Sequence, residues 1–247
     1  MINGFGLQFF TTIWLYQVKL CSVNNSDIYD VSNNIFTITD QIIPSKVKIQ
    51  WASPSFSEIK TVKVDSKNNI VATGNFQGTI NLAQTTGFKN LTSKGISDVA
   101  VAKYNEFGDL IWAFNIGETG TICQVNDMVI DKNNNIYIAG TCGTTDSDEI
   151  IIDFSYSENR DTLRTAGGKD PFVVKYDENG NFIKALVFGN IEEQTDEEIF
   201  DIDIDPSGNI FVTGILNGSV DFDPSKTKNI YKTSSKKKWN ICCKIQL

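Results

Sequence analysis

The chain has 247 residues, with 22 basic side chains, 30 acidic side chains and no histidine, and its formal net charge is −8. This acidic balance argues against nucleic acid and anionic membranes as partners, because both attract basic surfaces. The lack of histidine excludes Ser-His-Asp and Cys-His nucleophile pairs and histidine-ligated metal sites. Nothing in the sequence calls for a cofactor, and we expect none.

Residues 1–22 begin with an apolar stretch that contains no charge up to Val18. Such a stretch is typical of a signal or anchor segment, and it is equally compatible with a buried strand. Gln8 and Thr11 interrupt the stretch, which argues against a transmembrane helix. Both interpretations stay open.

Residues 23–57 form the next segment and fit two alignments with the rest of the chain. In one alignment Tyr29 matches Tyr104, and in the other Asp30 matches Asp205. In either case the strand-like stretch Lys46–Ala52 ends in Trp-Ala, as a later strand does. We therefore expect either a degenerate blade or a strand that closes a ring.

A ten-residue phrase then occurs three times, in copies that begin at Asp65, Asp131 and Asp205. Alternating apolar residues before each Asp and a β-rich run after it predict a hairpin. Asp and Asn in the turn are expected to hydrogen-bond their own loop, and each hairpin ends in a glycine where a side chain would obstruct neighbouring backbone. The asparagines are Asn69, Asn135 and Asn209, and the glycines are Gly74, Gly140 and Gly214.

A second phrase, Asp98–Ala113, recurs as Asp170–Ala185 and predicts a second hairpin in each unit. Two hairpins make a four-stranded sheet, and a repeat of about 70 residues fits a propeller blade. The predicted fold is all-β, a β-propeller-like array of about three four-stranded antiparallel blades, whose ring is incomplete or open unless a terminal strand closes it. The predicted blades are residues 58–120, 121–192 and 193–247.

The third predicted blade is incomplete at its C-terminal end. Trp239–Lys244 matches Asp98–Lys103, but no outgoing strand follows it. An unpaired edge exposes backbone donors and acceptors to another strand. Two outcomes are open. Either Lys46–Ala52 closes the ring, or the ring stays open and the chain is a fragment of a longer array or self-associates edge to edge.

Several short phrases resemble the SBBP class of bacterial β-propeller repeats. They are Gly78–Leu82, Asn90–Ser93, Asp98–Tyr104, Leu110–Ala113 and Gly218–Pro224. The resemblance covers residues 58–247 and implies an exported or surface-associated protein, with an extracellular or cell-surface location. It carries no catalytic motif over to this chain.

Three aspartates are the candidate ligand-binding residues. Asp201 and Asp203 alternate along one predicted strand, and Asp127 takes the place of Asp201 in the preceding copy. Facing a central channel, their carboxylates would bind a cation or polar ligand; the alternative is a hydrated strand face. Asp131–Asn135 and Asp177–Asn181 imitate the start of a calcium loop, but turn chemistry explains both, and we expect no metal site.

The five cysteines are odd in number and lack Cys-x-x-Cys spacing. This pattern favours buried thiols over a disulfide framework. The alternative is a bridge between Cys123 and Cys142, which could be cross-strand neighbours.

Two classes of function remain. The first is a non-catalytic binding or structural propeller that presents loops to a protein or glycan, and we favour it because it requires no residue that the chain lacks. The second is a propeller enzyme, a hydrolase or lyase that acts on a sugar or lactone through channel carboxylates. We expect no membrane insertion by the repeats in either case.

Overall fold

The computed structural model describes residues 58–83, 89–144, 150–156, 161–165, 168–188, 197–221 and 231–245, without the side chains of 217–221 and 231–239. All of them belong to the second of two compact units, Ser55–Leu247. The predicted signal segment at 1–22 and the predicted degenerate blade at 23–57, with the closing strand Lys46–Ala52, lie outside the described residues.

The described part of this unit contains three larger antiparallel sheets and two two-stranded ones. The strands of the larger sheets are β1 Glu58–Val64, β2 Ile70–Phe76, β5 Asp98–Tyr104, β6 Leu110–Ile116, β7 Ile122–Ile130, β8 Ile136–Gly143, β11 Lys169–Tyr176, β12 Phe182–Val187, β13 Glu198–Ile204, β14 Ile210–Asp221 and β15 Tyr231–Ile245. The first sheet has the order β1-β2-β5-β6, the second β7-β8-β11-β12 and the third β13-β14-β15.

Two short ribbons lie on the connections between the second and third strands of the first two sheets. They pair β3 Thr79–Asn81 with β4 Asn90–Thr92, and β9 Ile151–Asp153 with β10 Thr162–Arg164. A tyrosine hydroxyl ties each ribbon to its sheet, because Tyr104 donates to the Leu82 carbonyl at 3.2 Å and Tyr176 to the Phe154 carbonyl at 2.7 Å.

The regular structure of the described ranges consists of strands alone. The predicted all-β fold of small antiparallel sheets is confirmed, and its arrangement is propeller-like. The third sheet has three strands among the described residues, and the proposed blade boundaries stay predictions. Within the same ranges, no helix has the length and apolar character needed to cross a membrane.

The second sheet is buried on both faces. Ile136 and Ile138 of β8 pack in a core cluster with the first sheet, whereas Tyr137 and Ala139 pack in a second cluster with the third sheet. Successive side chains of a strand point to opposite faces, so a strand between two sheets must be apolar at every position. This explains why the Ile-Tyr-Ile-Ala run does not alternate with polar residues.

A β-bulge in the first strand of each sheet explains the repeated glycines. The register shifts by one residue at Lys60, Asn126 and Phe200, each of which directly follows the register partner of one of the three glycines. The bulge pushes a carbonyl oxygen toward each glycine, and a Cβ would overlap the carbonyl oxygen of the residue just before its register partner. The predicted close approach is confirmed at Gly74, Gly140 and Gly214.

The prediction that the cysteines are buried thiols is wrong for one pair. Cys123 on β7 and Cys142 on β8 are direct cross-strand partners and form a disulfide, with their Cα atoms 4.1 Å apart. Cα atoms of directly opposed strand residues are close enough for a bridge, so the hairpin register makes this pairing possible. Among the described residues, Cys242 and Cys243 are free thiols.

Candidate functional site

The first strands of the three sheets lie side by side, because β7 contacts both β1 and β13. This brings together two of the three predicted site residues. The carboxyl groups of Asp127 and Asp201 are hydrogen-bonded to each other, and Lys63 Nζ lies 4.0 Å from Asp127 Oδ1. Asp203 is exposed, and its Oδ1 accepts the Ile204 N–H at 2.8 Å.

The contact with Asp127, assisted by partial burial, raises the pKa of Asp201. Two neighbouring carboxylates share a proton more readily than they both ionise. Glycosidases hold their two carboxyl groups about 5 Å or more apart, with the sugar bond between them. A pair in mutual contact differs from that arrangement.

Five hairpin turns have the same internal pattern of hydrogen bonds. In four of them an Asp Oδ1 accepts two backbone N–H groups of its own loop, and its Oδ2 accepts the side-chain amide of the Asn four residues later. Asn105 and Asp109 form the same network with the roles exchanged. The four aspartates are Asp65, Asp131, Asp177 and Asp205.

The fourth residue of each turn has a positive φ, at Asn68, Gly108, Asn134, Gly180 and Gly208. Asn and Gly are the residues that adopt this conformation at low cost. The predicted role of the turn asparagines is confirmed, and the Asp-x-Asn spacing that imitates a calcium loop is turn chemistry. In the described stretches, no group of three or more Cys, Asp or Glu side chains is arranged to hold a metal ion.

One of these turns is seated between the first and second sheets. We call Asp177–Asn181, which joins β11 to β12, the seated turn. Lys103 Nζ donates to the Glu178 carbonyl at 2.9 Å, and Trp112 Nε1 reaches the same oxygen at 3.4 Å. Lys67 Nζ binds Glu178 Oε2 at 2.6 Å, and an added Cβ at Gly180 would lie 3.2 Å from the Trp112 ring. The turn thus contacts the first sheet through backbone and side chain together.

Lys103 is buried beneath the seated turn, in an otherwise apolar strand. Its Nζ lies 2.8 Å from Asp65 Oδ2, and the two side chains are only 5% and 1% exposed. Burial alone would raise the pKa of Asp65, but hydrogen bonds from Lys103, Asn69 and Lys67 outweigh it and lower the pKa to about 2. A buried carboxylate with this set of donors remains ionised.

The same Lys-Asp positions recur between the second and third sheets, but there they border an open groove. The groove has a volume of about 430 Å³ and is lined by residues 130–133, 135, 137 and 175 of the second sheet and 204–208 of the third. Lys175 takes the place of Lys103, and Asp131 takes the place of Asp65. No prediction from the sequence placed a site here.

The cation and the aspartate of the groove are linked through Tyr137. Burial raises the pKa of Tyr137, so its hydroxyl is protonated and donates to Asp131 Oδ2 at 3.2 Å. Lys175 Nζ lies 4.9 Å from the centre of the Tyr137 ring, within cation–π range. Lys175 is half-buried, whereas its counterpart Lys103 is buried.

A sequence signal for the groove did exist. Lys103 and Lys175 stand at the same position of the repeated phrase, inside strands that are otherwise apolar. A lysine is rarely buried unless it is paired. This position therefore indicated a charged contact in each repeat, although it could not show which contacts are filled.

No protein-family model matches the chain. An uncharacterized WD repeat-containing protein of Acanthamoeba polyphaga mimivirus is 24% identical over an alignment of 239 residues, and the match covers 84% of this chain and 17% of that protein. The chain therefore spans about a sixth of the length of this relative. The similarity agrees with the propeller-like arrangement of the three sheets.

Proposed function

We propose that the chain is a non-catalytic WD-like repeat protein that binds a protein partner at the cell surface. The observation that carries this proposal is the groove between the second and third sheets. It is open, it has a volume within the range of binding sites, and two sheets contribute donors and acceptors to it. The similarity to a WD repeat-containing protein supports a repeat scaffold as the setting.

A surface location is supported by the disulfide and by the resemblance to the SBBP class. Disulfides persist in oxidising compartments and are rare in the cytosol, and Cys123 and Cys142 form one. A membrane-impermeant thiol reagent, applied to intact cells that produce the native protein, should label the exposed thiol of Cys242. Labelling that requires cell lysis would contradict the surface location.

Binding is tested with the purified full chain on arrays of surface proteins and of glycans. We expect saturable binding to a protein. The affinity should be unchanged in the double variant Asp127→Asn/Asp201→Asn. A ligand found among the glycans alone would overturn the choice of a protein partner.

The alternative function is a hydrolase or lyase that acts on a sugar or lactone, and the raised pKa of Asp201 beside Asp127 is the observation that favours it. A panel of aryl glycosides and lactones, incubated with the chain, tests this alternative. Turnover that the same double variant abolishes would establish the enzyme and overturn the non-catalytic proposal. We expect no turnover, because the two carboxyl groups are in direct contact.

A further inference from the structure

The seated turn and the groove occupy equivalent places in the repeat. The seated turn follows β11 and fills the space between the first and second sheets above Lys103. In the third sheet β15 stands where β11 stands, since Cys243 pairs with Val212 as Val174 pairs with Ile138. The groove therefore borders Lys175 of the second sheet as the seated turn borders Lys103 of the first.

We propose that the groove binds an acidic β-turn of a partner protein, in the manner in which the first sheet holds the seated turn. This inference rests on the proposed protein-binding function and names the chemistry of the partner. The seated turn offers a backbone carbonyl to the buried lysine and a Glu side chain to a second lysine. The ligand would be a turn with these same two groups.

The donors of the groove match this ligand. Lys175 stands at the repeat position from which Lys103 donates to the turn carbonyl in the first sheet. The second lysine is Lys132, which follows Asp131 directly, whereas Lys67 stands one residue further along its own turn. The aspartates of the groove, Asp131 and Asp205, accept hydrogen bonds within their own turns. The lysines are therefore the groups that select an acidic partner.

The third sheet also leaves room for the ligand. In the first interface the Asn134 side chain accepts the Ser66 N–H at 2.9 Å and so links two turns. The matching position in the third sheet is Gly208, and a Cβ added there would meet nothing within 4 Å. Because position 208 has no side chain, the turn around Lys132 remains accessible to a ligand.

The test is a nuclear magnetic resonance titration of the full chain with a cyclic peptide that presents Asp-Glu-Asn-Gly-Asn, the sequence of the seated turn. We expect shifts at the amides of Asn133, Ser207 and Gly208 with millimolar peptide. Lys175→Met should weaken binding by about tenfold or more, since a charge-assisted hydrogen bond contributes at least this factor. A peptide with Lys in place of Glu should bind the chain with a similarly reduced affinity.

Two further protein variants make the test decisive. Ser207→Tyr fills the groove from an exposed position and should block binding even if Lys175→Met fails to fold. Lys184→Met, on an exposed strand residue outside the groove, should leave binding unchanged. Absence of shifts at the groove, or equal shifts in all variants, would overturn the inference. A partner that binds while Ser207→Tyr has no effect would leave the proposed function intact and reject the groove as its site.

Discussion

The interface between the first and second sheets and the interface between the second and third sheets start from the same Lys-Asp positions. In the first interface, Lys103 is buried, paired with Asp65 and covered by the seated turn. In the second, Lys175 is half-buried, stacked on Tyr137 and faces the groove. One repeated element thus stabilises the fold at one place and remains available for binding at the other.

The difference shows that burial, rather than residue type, decides what a charged pair does. An ion pair taken out of water must be fully hydrogen-bonded, and removal of one partner is then costly. A half-exposed lysine has no such requirement and can exchange water for a ligand. Repeat proteins can therefore form a binding site wherever a structural contact of one repeat is not filled in the next.

Replacement of the two matching aspartates gives the largest expected contrast. Asp65→Ala removes the turn network and leaves Lys103 buried without its anion, so we expect a loss of about 3–5 kcal/mol in the free energy of unfolding. Asp205→Ala removes the same network at an exposed turn and should cost about 1 kcal/mol. Urea denaturation measures both, and equal losses would contradict the assigned difference in burial.

The glycines at the bulges test whether the third sheet is built like the first. Gly214→Val places a Cβ against the Glu198 carbonyl, and we expect a loss of about 2–3 kcal/mol, similar to that of Gly74→Val. Gly208→Asn is the control, because Asn68 and Asn134 already adopt a positive φ at this turn position. Its melting temperature should stay within about 2 °C of the parent. An unchanged melting temperature for Gly214→Val would argue against the shared architecture.

The strands, hairpins and turn networks could be predicted from the sequence because local chemistry determines them. Asp65 with Asn69, and Gly74 across from a bulge, leave the same pattern in every copy. The groove could not be predicted, because it depends on which neighbouring contacts are filled in three dimensions. The disulfide was missed although the predicted hairpin suggested Cys123 and Cys142 as neighbours, because the odd cysteine count favoured free thiols and only the register of β7 and β8 makes the two residues direct partners.

Acid should weaken the first interface through Asp65. The folded pKa of Asp65, about 2, lies below its ordinary value of 3.8, so its contribution is present above about pH 4 and is lost as the pH falls toward 2. Between pH 4 and pH 2 the wild-type chain should lose about 2 kcal/mol more unfolding free energy than Asp65→Asn. Denaturant titrations at both pH values measure this, and parallel losses would refute the role of the pair.

The smallest expected effect concerns the carboxyl pair that joins the second and third sheets. Because Asp127 raises the pKa of Asp201, the contribution of Asp201 to stability is present at low pH and is lost as the pH rises through the raised pKa. Asp201→Asn should therefore stabilise the chain at pH 7 by a few tenths of a kcal/mol, about 0.3. Thermal unfolding should show no gain in the stability of Asp201→Asn below about pH 4. The control variant Asp203→Asn should show no gain at any pH.

The central claim is that Lys103 is a structural residue and Lys175, at the same repeat position, is a binding residue. The most direct measurement determines both the free energy of unfolding and the affinity for the cyclic turn peptide in Lys103→Met and in Lys175→Met. We predict that Lys103→Met loses about 3 kcal/mol or more of stability, whereas Lys175→Met loses under about 1 kcal/mol and most of its affinity for the peptide. Equal losses of stability, with peptide affinity unchanged in Lys175→Met, would contradict the account.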